Sequence, residues 1–155
     1  MKEATTIDIR PLSLADAHDL APLIAAYVQE LNRGAPRRPD DYYAELLLRD
    51  GTARLTGANR GDDLIGFALW SDLPDTVSGK RIGQLDELFV LQDARGLGVE
   101  HALIDALIAE GRRRGWHQIR WLMREKAQLP KDRFAPLLEP AGIRLHILPV
   151  DRTGN

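Results

Sequence analysis

The chain has 155 residues, with 21 basic and 23 acidic side chains and a formal net charge of −2. That balance gives no electrostatic footprint for nucleic acid or for an anionic membrane surface. The absence of cysteine excludes a disulfide framework, a thiol nucleophile and a thiolate metal site. With 44% hydrophobic and 28% charged residues, the sequence reads as a single globular domain over 1–155, with no membrane-spanning run, no signal-peptide core and a cytoplasmic setting as the default.

In chain order, Thr5 to Arg10 alternates Ile7 and Ile9 with polar residues and predicts a short strand closed by Pro11. Ser13 and Asp16 form a capping-box-like start to a helix that runs through Leu20, Leu23, Ile24, Tyr27, Val28 and Leu31, with Pro22 as a kink or second start. Arg33 to Pro39 is a basic loop, and Asp40 or Asp41 caps a second helix through Tyr42, Tyr43, Leu46, Leu47 and Leu48, stopped by Gly51. Ala53 to Ala58 and Leu64 to Trp70 read as a hairpin about a turn at Asn59–Asp63, and Asp72 to Lys80 as a polar loop. A strand over Arg81 to Leu91 follows. After the next helix come a strand over Gln118 to Met123, a short helix within Lys131 to Glu139 and a last strand over Ile143 to Val150.

The most informative stretch is Gln84 to Trp116. Leu85, Leu88, Phe89, Val90 and Leu91 make an apolar strand, and Asp93, Gly96 and Gly98 turn the chain. Val99, Ala102, Leu103, Ala106, Leu107 and Ile108 then recur with helical period. Arg112, Arg113 and Arg114 complement the negative C-terminal dipole, and Gly115 suits the position after the helix. The first amides of such a helix lack intrahelical acceptors, two glycines allow close backbone approach, and Arg95 adds positive charge. On residue types alone this is either a tight turn or a seat for a phosphate or diphosphate.

Arg95-Gly96-Leu97-Gly98-Val99, preceded by Leu85-Asp86-Glu87-Leu88-Phe89-Val90, resembles the acetyl-CoA signature of the GNAT N-acetyltransferase family, nearest to its polyamine type, in which an acidic pair sits in the same strand. The predicted order β-α-α-β-β-β-α-β-α-β is also that family's order. The resemblance implies an α/β (α+β) GNAT fold, with a mixed, mostly antiparallel sheet of about six to seven strands flanked by about four helices. It implies acetyl transfer from acetyl-CoA to a primary amine of a small molecule or peptide, by direct attack in a ternary complex, and it admits a homodimer. The alternative is a catalytically weak or inactive acyl-CoA-binding regulator.

Transfer from a thioester to an amine needs a base for the amine's proton and donors for the developing oxyanion. Asp86 and Glu87 are the candidate bases. Adjacent strand residues face opposite sides, so only one enters a given cleft; the resemblance favours Asp86. It further implies that the backbone of Leu88, Phe89 and Val90 holds the pantetheine arm as an added strand would. The diphosphate then falls to Arg95 and the amides of Gly96, Leu97, Gly98, Val99, Glu100 and His101.

Three positions depart from the family pattern. Glu100 stands where Gly or Ala is usual, and counting back from Gly142 places Leu138 where the family has a tyrosine and Lys131 where it has an asparagine. Phe134 is the nearest aromatic residue and has no hydroxyl, so water, Tyr42 or Tyr43 is left to assist the thiolate. The four histidines show no metal-ligand spacing, and no metal is expected.

Overall fold

A computed structural model describes residues 6–32, 38–125 and 133–150. Two compact units, Met1–Met123 and Arg124–Asn155, divide the chain. In the first, five strands form one sheet in sequence order: β1 (Ile7–Pro11), β2 (Arg54–Arg60), β3 (Asp63–Asp75), β4 (Lys80–Val90) and β5 (Trp116–Trp121). The first four pair antiparallel, and β4 pairs with β5 in parallel. That parallel step needs a crossover, which α3 (Val99–Arg114) supplies.

Helices α1 (Ala17–Asn32) and α2 (Asp41–Arg49) precede β2. The start of α1 is set as the sequence suggests. The Ser13 amide donates to Asp16 Oδ2 at 2.8 Å, completing a capping box that opens a short 3-10 turn into the helix. Pro22 lies inside one continuous helix, so no second start occurs. Asp40, of the two candidate caps, accepts the Tyr43 amide at 3.0 Å and begins α2. The two helices bury Ala17, Leu20, Ala21, Leu23 and Ala44 in one apolar cluster with Leu55, Leu64, Phe67 and Phe89 of the sheet. Full burial of a side chain such as Leu20 stabilises by about 1.5–3 kcal/mol. Helix α3 packs along all five strands and buries Val99, Leu103, Ile104 and Leu107.

Three readings of the sequence are corrected. Asp72 to Asp75 is strand rather than loop, paired from Asp72↔Gly83 to Asp75↔Lys80. Its polar residues are accommodated because Asp72 accepts from Arg81 Nε at 2.8 Å, Arg114 Nη1 at 3.0 Å and Trp116 Nε1 at 2.9 Å. In the second unit, the short helix expected within Lys131 to Glu139 is a single 3-10 turn, Ala135–Leu137, because Pro136 and Pro140 withhold helical amides. Lys131 itself lies outside the described residues, as do Thr5 and residues 33–37 of the basic loop.

The last strand expected over Ile143 to Val150 forms no ladder. Strand conformation depends on a hydrogen-bonded neighbour, and alternation alone does not supply one. Ile143, Leu145, Ile147, Leu148 and Val150 are 64–96% exposed. The sheet of the described residues therefore has five strands, with three α-helices, fewer than the six to seven and four of the family pattern.

Candidate active site

The pairing of β4 with β5 stops part-way along β4. It runs from Arg81↔Trp116 to Leu85↔Trp121, and a last bond joins the Leu122 amide to the Leu85 carbonyl at 2.9 Å. Beyond it, residues 86–90 pair with β3 on one side only, so the other side of this half-strand is an open edge among the described residues. The parallel ladder ends where the sequence places Asp86, Glu87, Leu88, Phe89 and Val90.

The two acids are placed differently. Leu69 stands opposite Glu87 and Trp70 opposite Leu85, which makes Asp86 the extra residue of a β-bulge. Bulges re-aim side chains and recur beside active sites. The half-buried Asp86 carboxylate accepts from Gln84 Nε2 at 3.1 Å. Glu87, also half-buried, accepts the phenol O–H of Tyr27 on α1. Tyr27 was legible in the sequence only as an apolar-face helix residue. Its contact with Glu87 spans 60 positions, which no local pattern announces.

At the far end of β4 the chain makes a 3-10 turn (Gln92–Ala94) and enters α3. Gly96 and Gly98 both adopt φ near +80°, a left-handed conformation that favours glycine, and Gly98 is the N-cap of the helix. A Cβ built on either would meet nothing within 4 Å, so the space in front of this backbone is open. The first helical bond runs from the Ala102 amide to the Gly98 carbonyl at 3.0 Å, which leaves the amides of Gly98, Val99 and Glu100 ahead of the ladder at the positive end of the dipole. The arrangement fits a diphosphate. Leu97 is exposed, Val99 is buried and anchors the helix, and Glu100 and His101 are half-buried.

Arg95 does not extend freely into this space. Its Nη2 donates to Glu30 Oε2 at 2.5 Å, its Nε donates to the Val90 carbonyl at 3.1 Å, and its guanidinium lies 5.8 Å from the centroid of the Phe89 ring. It ties the last turns of α1 to the end of β4. The hydroxyl-bearing Tyr42 and Tyr43 of α2 are 68% and 49% exposed. A cavity of about 450 Å³ lies between β1, the α2–β2 connection and the C-terminal half of α3, and includes none of these residues.

An open strand edge leading into a glycine-rich helix N-terminus is the arrangement expected for an acetyl-CoA enzyme, and the family model described as "Acetyltransferase (GNAT) family" matches residues 20–135. The chain belongs to the GNAT acetyltransferase family. Among solved structures, it is similar to a ribosomal-protein-alanine N-acetyltransferase from Brucella melitensis biovar Abortus 2308. That likeness has 36% identity and a TM-score of 0.79 over 93% of this chain and 99% of that one. A possible acetyltransferase from Clostridium difficile 630 shares the fold at 12% identity and a TM-score of 0.73, covering 93% and 97% of the two chains. So does an aminoglycoside acetyltransferase from an uncultured soil metagenomic sample, solved with sisomicin, at 17% identity and a TM-score of 0.70 over 92% and 95%. No curated protein sequence matches the chain.

GNAT acetyltransferases use acetyl-CoA as co-substrate and act on amines. Leu138, expected from the sequence at the family's tyrosine position, is half-buried after the short 3-10 turn, and the nearby Phe134 is buried beneath the Arg133 guanidinium, 4.9 Å from its ring centroid. No helix among the described residues is long and apolar enough to cross a membrane.

Proposed function

We propose that the protein transfers an acetyl group from acetyl-CoA to a primary amine of a small molecule or peptide, by direct attack within a ternary complex. The observation that carries this reading is the open edge of β4 at residues 86–90 running into the helix N-terminus at Gly98. Leu88, Phe89 and Val90 lie along the edge that meets the pantetheine arm as an added strand would, with the Val90 carbonyl already accepting from Arg95 Nε. The amides from Gly96 to His101 face the diphosphate, and Arg95 stiffens that turn through Glu30 and the Val90 carbonyl. Asp86 and Glu87 stand just beyond the end of the β4–β5 ladder, where a carboxylate takes a proton from the acceptor ammonium and frees the lone pair that attacks the thioester. The bulge at Asp86 brings both acids to one short stretch of backbone.

A peptide amine is the acceptor class suggested by likeness to the ribosomal-protein-alanine enzyme. A second reading, an acyl-CoA-binding regulator with little turnover, is favoured by Glu100 and by Leu138 at the tyrosine position.

A thiol-release assay with acetyl-CoA across a panel of peptide, polyamine and aminoglycoside amines tests the proposal. Release with at least one amine is expected. Binding without release from any amine supports the regulator, and a protein that neither binds nor is thermally stabilised by acetyl-CoA overturns both readings.

A further inference from the structure

We propose that Tyr27 is a positioning residue, and that the acid it positions, Glu87, is the one that takes the acceptor's proton. The inference rests on the acetyl-transfer reading above and assigns the roles within that site.

Three aromatic rings fix where the Tyr27 hydroxyl stands. Phe67 and Phe89 face each other across the β3–β4 ladder, with ring centroids 6.0 Å apart. The Tyr27 ring meets Phe67 edge-on at 6.1 Å and 83°, and Phe89 at 5.2 Å and 39°. Such pairs constrain ring orientation as well as burying area. The phenol O–H then reaches Glu87 Oε2. One turn further along α1, Glu30 holds Arg95, so the same helix face touches both the acid-bearing strand and the glycine turn.

The two acids differ in what holds them. Asp86 is met by Gln84, an amide side chain of its own strand. Glu87 is met by a group on another element, whose ring cannot swing without disturbing the core under α1. General-base catalysis needs a carboxylate fixed in direction as well as charged, and a donor locked by packing provides that fixity.

The proton balance is simple. Of the three protons on the acceptor ammonium, one passes to Glu87 and is returned to water. The freed lone pair forms the new C–N bond, and the C–S bond breaks with its electron pair on sulfur. A second proton leaves the nitrogen and ends on the thiol, and the third stays on the amide product. Tyr27 transfers none, because its own proton is directed at Glu87.

The test compares wild type, Tyr27→Phe, Glu87→Gln, Asp86→Asn and the Tyr27→Phe/Glu87→Gln double variant. It reads kcat and KM by thiol release, acetyl-CoA affinity by calorimetry, and melting temperature. Phe keeps the ring cluster, so Tyr27→Phe is expected to melt with wild type and bind acetyl-CoA equally, while kcat falls by about tenfold or more. The double variant is expected to be no slower than Glu87→Gln alone, since the hydroxyl has lost the group it positions. Glu87→Gln is expected to lose more than Asp86→Asn.

Wild-type kcat in Tyr27→Phe overturns the proposal, and so does a double variant whose losses multiply, or a deeper loss in Asp86→Asn. In each of those outcomes the acetyl-transfer reading stands. A wild-type protein that releases no thiol with any amine overturns that reading, and this one with it.

Discussion

The amide of Leu122 donates to the carbonyl of Leu85 at 2.9 Å, and this is the last bond that holds β5 against β4. Every backbone group proposed to meet the coenzyme arm lies beyond it. The pantetheine arm is therefore expected to contribute strongly to affinity. With two or three strand-type hydrogen bonds at about 1 kcal/mol each, acetyl-CoA should bind at least about tenfold more tightly than adenosine diphosphate, which offers the diphosphate alone. Calorimetric titration of the two ligands checks this, and equal affinities would place the arm elsewhere.

Glu100 occupies the first turn of α3, half-buried beside the expected diphosphate. A carboxylate about 5 Å from a phosphate charge opposes binding by about 1–3 kcal/mol, for effective dielectrics between 80 and 20. Glu100→Gln is expected to tighten acetyl-CoA binding about fivefold or more, with the gain shrinking as salt is raised. Gly98→Ala is expected to act oppositely. Its φ of +80° imposes a conformational penalty of about 1–2 kcal/mol on a side-chain-bearing residue, although a Cβ there meets nothing within 4 Å. Chemical denaturation and titration separate the two effects.

Gly83 tests packing away from the site. A Cβ at this position would lie 2.2 Å from Cζ3 of Trp116, whose ring also stacks edge-on with Trp70 at 5.4 Å. The Trp116 Nε1 bond to Asp72 leaves that ring little freedom to retreat. Gly83→Ala is expected to lower stability by about 1–3 kcal/mol, as overpacked cores do, measured as a fall in the urea midpoint.

Asp72 gives the pH dependence. Burial acts against its charge, but hydrogen bonds from Arg81, Trp116 and Arg114 outweigh burial and hold its carboxyl below the ordinary value of 3.8. A pKa lowered by folding contributes stability that is complete above the unfolded value and is lost as pH falls through the folded one. Wild type should therefore weaken below about pH 4. Asp72→Asn should be less stable by about 1–3 kcal/mol at pH 7, because three donors lose their charged acceptor. Its stability should also fall less steeply on acidification. Urea denaturation at pH 7 and pH 3 checks both the offset and the slope.

What was legible in the sequence was local. Gly98 and Gly115 marked the ends of α3 as turn and C′ residues, Ser13 and Asp16 announced the start of α1, and Asp40 or Asp41 announced that of α2. The strand, turn and helix around Arg95 followed from a short apolar run, then Asp93 and two glycines, then an apolar period of about 3.6. What was not legible depended on partners far along the chain. Arg95 read as a free positive charge, yet Glu30, 65 positions earlier, holds it. Asp72 to Asp75 read as loop because the donors that make a polar strand tenable, Arg114, Trp116 and Arg120, come from residues more than 40 positions later. The bulge at Asp86 is a property of register against β3, which no single strand encodes. Conversely, the alternation over Ile143 to Val150 promised a strand that finds no ladder.

The central claim is that the β4 edge and the α3 N-terminus together hold acetyl-CoA. Residue-resolved hydrogen exchange with and without the coenzyme tests it most directly. Added protection is expected at amides of Leu88–Val90 and of Gly96–His101, with β1 and β2 unchanged. Binding that leaves both segments exchanging as before, or that protects the cavity between β1 and the C-terminal half of α3 instead, would contradict it.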